Sequence, residues 1–248
     1  MSTGVRGDVT GPWRCWTRLV AGTYLVAAGG VVTLEVIRSF PTGRFVGGVL
    51  AFTLLTSLTF GRIVRRTHRE SGPQRLTLAT WVTVSRAGVL AVLAGFVFIP
   101  SDATGWLAGG LFALAAVLDA VDGRLARMTD SITELGGRVD TEVDGLTVFL
   151  GSLLAVLAGT APVAFLLVGI ARPTFAVGCW WRRRNGRPVA PLPSSRLRGS
   201  LGASAMVVIW LALLPVPGAE RSWLLTTAVA VPFLINFGRD WLAVTAVS

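Results

Sequence analysis

Four aspartates, in two pairs at helical spacing, are the residues of this chain best suited to chemistry. Asp119 and Asp122 lie three positions apart, and Asp140 and Asp144 lie four apart. On α-helices, each spacing places both carboxylates on one face. Two such faces that meet would form an oxygen-rich site of the kind that binds Mg²⁺ or Mn²⁺. We therefore expect a divalent-metal site formed by these four carboxylates.

The acidic stretch 119–144 lies within a strongly apolar chain. It contains seven of the 13 acidic residues, and apolar runs flank it on both sides. Of the 248 residues, 52% are hydrophobic and only 15% are charged, and the mean hydropathy is +0.66. A soluble domain of this size would carry roughly 25% charged residues. Several runs of about 20 apolar residues therefore indicate a multi-pass membrane protein.

The hydropathy pattern predicts an all-α integral membrane protein with short linkers, which favour antiparallel neighbours. The expected spans are 16–37, 45–61, 78–99, 105–127, 134–158, 162–180, 199–214 and 222–238. We expect a six-helix transmembrane core within 78–248. The preceding region, 1–77, is expected to add two N-terminal transmembrane helices, as an accessory hairpin, and an Arg-rich cytoplasmic linker.

The distribution of arginine predicts the orientation in the membrane. All 23 basic residues are Arg, and the net charge is +10. Segment 62–75 contains five of them and segment 182–198 contains six, whereas linkers 100–104, 159–161 and 215–221 together contain only Arg221. The positive-inside rule places the Arg-rich linkers, and with them both termini, on the cytoplasmic side of the cell membrane. Nucleic-acid binding is not expected, because the basic residues lie in short linkers rather than on a soluble domain.

The ionisable residues are expected to lie within the membrane at a common depth. At 1.5 Å per residue, Asp119, Arg86 and Arg172 lie roughly 12 Å from the cytoplasmic ends of their helices, and Asp144 lies roughly 15 Å in. Each intramembrane carboxylate costs about 2.5–3.5 kcal/mol, which helix pairing alone does not require. We expect a cavity open to the cytoplasm. A divalent-cation transporter is the alternative, although the acids cluster in a single helix pair with no inverted repeat.

Small residues continue the faces that carry the aspartates. Gly123 and Ala126 follow the first pair, and Gly136 precedes Asp140 by one turn. Such a surface lets a flat, bulky group lie close to the backbone, and Arg127 at the end of the same helix is placed to meet a phosphate. A metal site, an open surface and an arginine together suggest a nucleotide diphosphate.

This pattern of residues resembles a family signature. The pattern is Asp119-x2-Asp122-Gly123-x2-Ala126-Arg127-x8-Gly136-x3-Asp140-x3-Asp144, and it resembles that of the CDP-alcohol phosphotransferase family without departure. Members often begin the first core helix with Asn-x-x-Thr-x-x-Arg. Here Thr83 and Arg86 are kept, but Thr80 replaces Asn. That departure leaves the reaction alone and puts in doubt any acceptor inferred from this helix.

The resemblance implies a homodimeric membrane enzyme that transfers a substituted phosphoryl group from a CDP-linked donor to an alcohol and releases CMP. It implies that Asp119, Asp122 and Asp140 ligate two Mg²⁺ or Mn²⁺ ions. Asp144 would act as the general base for the acceptor hydroxyl and could also contact metal. The implied nucleotide-binding residues are Asp119, Asp122, Gly123, Ala126, Arg127 and Gly136.

The expected donor is CDP-diacylglycerol, because a laterally open membrane cavity suits two acyl chains. The acceptor is a small alcohol, and the arginines favour a phosphorylated polyol such as glycerol 3-phosphate or inositol phosphate. The candidate acceptor-binding residues are Arg86, Arg172, Arg196 and Arg198. For Arg196 and Arg198, contact with lipid headgroups is an equally good explanation. The reverse assignment, a soluble CDP-alcohol donor with a lipid alcohol acceptor, stays open.

Overall fold

The computed structural model describes residues 11–38, 42–100, 106–128, 133–190 and 195–245, apart from the side chains of Arg38, Ala126, Arg127 and Arg196. Regular structure in these ranges is entirely helical, so the predicted all-α class is confirmed. The α-helices are α1 Pro12–Arg38, α2 Gly43–Ser71, α3 Leu78–Gly95, α4 Trp106–Met128, α5 Glu134–Leu157, α6 Leu166–Arg184, α7 Arg196–Ala212 and α8 Gly218–Thr245. Two short 3-10 helices, Phe96–Phe98 and Val163–Phe165, follow α3 and precede α6.

Five segments of the described chain are long and apolar enough to cross a membrane. They are Pro12–Ile37, Gly43–Ser71, Leu78–Phe98, Trp106–Leu125 and Val163–Arg184. Helix α5 differs because its first turns carry the charged residues of the acidic stretch, and the apolar part of α7 is shorter, Leu197–Ala212. A helix satisfies its own backbone hydrogen bonds, as lipid requires. The multi-pass membrane class is therefore supported, while the number of eight crossings stays a prediction.

Contacts between Cα atoms divide the chain into two compact units. Unit 1 comprises the described residues of Met1–Ile99 and Ala113–Asp144, and unit 2 comprises those of Pro100–Phe112 and Gly145–Ser248. This division does not follow the predicted boundary between 1–77 and 78–248, because α1 and α2 both pack against α3 in unit 1. The functional division into accessory hairpin and core stays a prediction.

Glycines bring α1 and α3 of unit 1 into close contact. A Cβ at Gly22 would lie 2.8 Å from the ring of Trp81, and a Cβ at Gly88 would lie 2.6 Å from Val26. Helices without bulky side chains at their interface can approach closely, which is the usual way that helices associate in lipid. The Trp16 indole also donates to the Ser57 carbonyl at 2.9 Å and so connects α1 to α2. The N-terminal hairpin is thus firmly packed onto α3.

In unit 2, α8 packs against both α6 and α7. A Cβ at Gly178 of α6 would lie 2.5 Å from the Trp241 ring, and Phe175 meets the same ring edge to face at 5.8 Å. Arg198 at the start of α7 forms a two-pronged ion pair with Asp240 of α8, at 2.8 and 2.9 Å. These contacts hold the C-terminal part of α8 against both of its neighbours.

Candidate active site

Arg86 on α3 lies at the centre of the carboxylates in unit 1. Its Nη1 donates to Asp119 on α4, and its Nη2 donates to Asp140 at 2.7 Å and to Asp144 at 2.9 Å, both on α5. The Arg86 side chain is 1% exposed. It is the largest fully buried side chain among the described residues. Three helices therefore converge at one group of ions.

The local sequence explains why these side chains converge. Asp140 and Asp144 are one helical turn apart on α5, so both point at the same neighbour. Asp119 lies on the face of α4 that meets Arg86, and Arg86 extends from α3. The expected common level of Arg86, Asp119 and Asp144 is consistent with their direct contacts.

Asp122 is placed differently from the other three aspartates. It is 4% exposed, and its Oδ2 accepts a hydrogen bond from Thr83 on α3 at 3.0 Å. The oxygens of Asp119, Asp140 and Asp144 form the group close enough to share a metal, and Asp122 is outside that group. The metal role of Asp122 stays a prediction. Sequence reasoning did not identify Thr83 as its partner, although Thr83 lies three residues before Arg86 on the same face of α3.

Two threonine hydroxyls lie close to the backbone of Gly136. A Cβ at this position would lie 3.0 Å from the Thr80 hydroxyl and 2.9 Å from the Thr133 hydroxyl, closer than most side chains approach. The Thr80 hydroxyl is also 3.0 Å from that of Thr77, which caps α3. Glycine therefore allows a close approach that a larger residue would disturb. Thr80, which replaces the family's usual Asn, is one of the two close neighbours.

The other predicted nucleotide residues are only partly described. Gly123 lies on α4, directly after Asp122. The side chains of Ala126 and Arg127 lie outside the described part of the structure. The nucleotide-binding roles of these residues, and of Gly136, stay predictions.

The donor set fits a divalent metal. One oxygen from each of Asp119, Asp140 and Asp144 lies within 4.8 Å of the others, and each side chain is about 40% exposed. Ionised carboxylates are the hard oxygen ligands that Mg²⁺ and Mn²⁺ prefer. These three carboxylates contact one guanidinium, which leaves a formal charge of −2 when all three are ionised. Such an excess of negative charge suits one or two divalent cations.

The predicted acceptor arginines are divided between the two units, with Arg86 in unit 1 and the other three in unit 2. Arg86 contacts the carboxylates, and Arg198 is paired with Asp240. Arg172, in unit 2, is exposed, and its Cδ would lie 3.3 Å from a Cβ at Gly145. The side chain of Arg196 lies outside the described residues. The acceptor-binding roles of all four stay predictions.

Comparison with known proteins identifies the family. Over 86 residues the chain is 36% identical to a bifunctional IPC transferase and DIPP synthase of Thermococcus kodakarensis. That alignment covers 35% of this chain and 17% of the relative, so the chain spans only a small part of the relative's length. No solved structure matches. The family model for CDP-alcohol phosphatidyltransferases matches residues 76–235, which include every aspartate of the site. With the matched region covering more than half of the chain, this protein belongs to the CDP-alcohol phosphatidyltransferase family.

Proposed function

We propose that the protein transfers a phosphatidyl group from CDP-diacylglycerol to a small alcohol and releases CMP. In this reaction the acceptor oxygen bonds to the phosphorus that carries diacylglycerol, and the phosphoanhydride bond to CMP breaks. The observation that carries the proposal is the convergence of Asp119, Asp140 and Asp144 within the residues that match the family model. Membership of a transferase family alone does not specify this site.

The carboxylates have distinct proposed roles. Asp119, Asp122 and Asp140 hold a Mg²⁺ or Mn²⁺ pair, together with Asp144 where it contacts metal. When bound, these ions neutralise the diphosphate of the donor and stabilise the departing CMP. Asp144 accepts the proton of the acceptor hydroxyl as it attacks. Arg86 contacts the Asp144 carboxylate at 2.9 Å and orients it.

The nucleotide is proposed to lie along the faces of α4 and α5 that carry the aspartates. Gly123 and Ala126 leave room beside the backbone of α4, and Arg127 contacts a phosphate. At Gly136 the Thr80 and Thr133 hydroxyls already occupy the place of a side chain, so this glycine contributes by allowing their close approach. The support for the nucleotide site is the pattern of small residues beside Asp122 and Asp140 within the residues that match the family model.

A lipid donor is proposed because the helices of this chain face lipid. Helix α1 exposes Leu25, Val32 and Val36 along most of its length, as membrane-facing helices do. A donor with two acyl chains can reach the site laterally without leaving the membrane. In the reverse assignment, a soluble CDP-alcohol is the donor and a lipid alcohol is the acceptor.

The acceptor is proposed to be a small alcohol, with a phosphorylated polyol favoured by the arginines of unit 2. Arg172 supports this proposal best, because it is exposed and no described carboxylate pairs with it. Arg198 supports it less, because Asp240 already offsets its charge at 2.8 Å. If Arg172 binds the acceptor phosphate, Arg172→Ala should raise the acceptor KM. An unchanged KM would remove Arg172 from the pocket.

The active site is proposed to face the cytoplasm of a cell membrane, and the protein is proposed to act as a homodimer. The Arg-rich linkers support the orientation through the positive-inside rule. Labelling of single cysteines introduced at 187 and 217 in intact cells would test it, since the two positions are expected on opposite sides. Access to position 187 from outside would contradict the orientation.

CMP release from purified protein tests the reaction. The protein in detergent micelles is given CDP-diacylglycerol and a panel of alcohols, with Mg²⁺, with Mn²⁺ or with a chelator. We expect CMP release that needs both a metal ion and one class of alcohol. Release only from a soluble CDP-alcohol with a lipid acceptor would establish the reverse assignment. Metal flux into vesicles without any CMP release would establish the transporter.

A further inference from the structure

A second ionic cluster connects the end of α2 to the first turns of α5. Arg138 of α5 donates to the Thr67 hydroxyl at 3.0 Å and to Glu70 at 2.5 Å, both on α2. Glu134, one turn earlier on α5, accepts from Arg138 and from the Ser71 hydroxyl. We call these five residues the α2–α5 brace. All of them belong to unit 1.

The brace contacts the side of α5 opposite to the metal site. Arg138 and Asp140 are two residues apart, so their side chains leave the helix about 200° apart. On one side, Asp140 and Asp144 contact Arg86 of α3. On the other side, Arg138 contacts α2. Rotation of α5 about its axis is therefore resisted from both directions.

The α2 residues of the brace, Thr67, Glu70 and Ser71, lie outside the segment that matches the family model, whereas Glu134 and Arg138 lie inside it. Helix α2 is Gly43–Ser71, and the match begins at residue 76. Glu70 is also paired with Arg66 of its own helix, at 2.9 Å. The accessory hairpin thus has a direct contact with the helix that carries two of the candidate metal ligands.

We propose that Arg138 and Glu70 are positioning residues, which fix the rotation of α5 and so place Asp140 and Asp144 for metal binding. The N-terminal hairpin then contributes to the active site without touching a substrate. Ligand placement tolerates displacements of only about 0.5 Å, so a small rotation of α5 affects metal affinity. This inference rests on the proposed metal-dependent function.

The test compares Arg138→Met with Arg66→Met in the full-length protein. Both variants remove one guanidinium from Glu70, but only Arg138 connects two helices. Mn²⁺ affinity is measured in the absence of substrate, and amide hydrogen exchange is measured over residues 134–145 without metal. Initial rates at saturating Mn²⁺ then give kcat and the KM of the donor.

In Arg138→Met, we expect the Kd of Mn²⁺ to rise roughly tenfold, which is typical when a group supporting a metal ligand is removed. Exchange over 134–145 should be faster, and kcat should fall more than the donor KM changes. Arg66→Met should match the unaltered protein in all of these measurements. Arg138→Lys, which keeps the charge and one contact, should recover part of the affinity.

Several results would overturn the proposal. One is an Arg138→Met variant with the Mn²⁺ affinity and exchange rate of Arg66→Met. Another is a lower unfolding temperature with unchanged metal affinity, because Arg138 would then act only in stability. If Arg138→Met does not fold, Glu70→Gln breaks the same contact and is judged by the same criteria. If the unaltered protein binds no Mn²⁺, the proposed function fails, and hydrogen exchange still decides whether the brace holds α5.

Discussion

Two arginines in unit 1 are each shared by several carboxylates, and they differ in burial and in charge balance. Arg86 is 1% exposed and contacts three aspartates, with a formal charge of −2 for the group when all three are ionised. Arg138 is 30% exposed, and together with Arg66 it balances Glu70 and Glu134. An uncompensated group of carboxylates indicates a site for an added cation, whereas a balanced one can serve to hold helices together.

Burial explains why the difference matters. Charges removed from water need partners, and an unpaired buried charge is strongly destabilising. The Arg86 cluster has too few positive charges for its carboxylates, so a divalent ion stabilises it further. The brace has no such deficit and gains little from added ions. We therefore expect added metal to stabilise the Arg86 cluster but not the brace. The brace should be weakened only by substitution of its own residues.

The largest expected effect is that of Asp144→Asn. Loss of the base that accepts the acceptor proton should lower CMP release by at least about 100-fold. Binding of the CDP-linked donor should persist, because Asn keeps the shape of the side chain. Glu142→Gln is the matched control, since Glu142 is an exposed acid on the same helix outside the carboxylate group. Equal turnover in both variants would remove Asp144 from the mechanism.

The next effect is that of Arg86→Met, measured as the free energy of unfolding in mixed detergent and SDS micelles. Without metal, the loss should be about 2 kcal/mol, since the three aspartates that contact Arg86 would have no cation between them. This is less than for a fully buried pair, because three of the aspartates are about 40% exposed. Mg²⁺ should restore stability more in the variant than in the unaltered protein.

An exposed arginine of α2 provides the control for that experiment. Arg62→Met removes the same charge at an exposed position, whereas the described carboxylates of the site pair with Arg86, and it should leave both measurements unchanged. If Arg86→Met costs the same free energy with and without Mg²⁺, Arg86 contributes packing alone. The excess negative charge around Arg86 would then not explain how its cluster differs from the brace.

A smaller effect is expected for Thr83→Val. The buried Asp122 would lose its hydrogen bond from the Thr83 hydroxyl, which should cost about 1–2 kcal/mol of stability. Thr53→Val is the matched control, because the buried Thr53 hydroxyl donates only to carbonyls within its own helix. We expect that control to change the free energy of unfolding much less. Equal losses would show that Thr83 does not support Asp122.

The smallest effect is expected from combining two brace substitutions. Arg138→Met and Glu70→Gln each break the same contact, so the double variant should bind Mn²⁺ no more weakly than Arg138→Met alone. Such non-additivity is typical of residues in direct contact. Additive losses of Mn²⁺ affinity would mean that the two residues act on the site independently.

The sequence alone determined the helices and the faces that carry the aspartates. Spacings of three and four residues place Asp119 with Asp122, and Asp140 with Asp144, because helical periodicity is a local property. Helices occur at all eight predicted positions in the described residues. The signature from Asp119 to Asp144 also predicted the family, which the match over 76–235 confirms. Each of these conclusions depends on short stretches of chain.

The tertiary structure alone decided which helices meet. Arg86 contacts carboxylates 33, 54 and 58 positions away, and Arg138 contacts Glu70 across 68 positions. The sequence predicts a common depth for Arg86, Asp119 and Asp144 and offers Arg86 as a candidate acceptor residue, but depth does not specify a neighbour. It gave no role to Thr83 or Arg138, whose partners lie on other helices. Local periodicity orients a side chain around its own helix, and only the packing of distant helices determines what that side chain contacts.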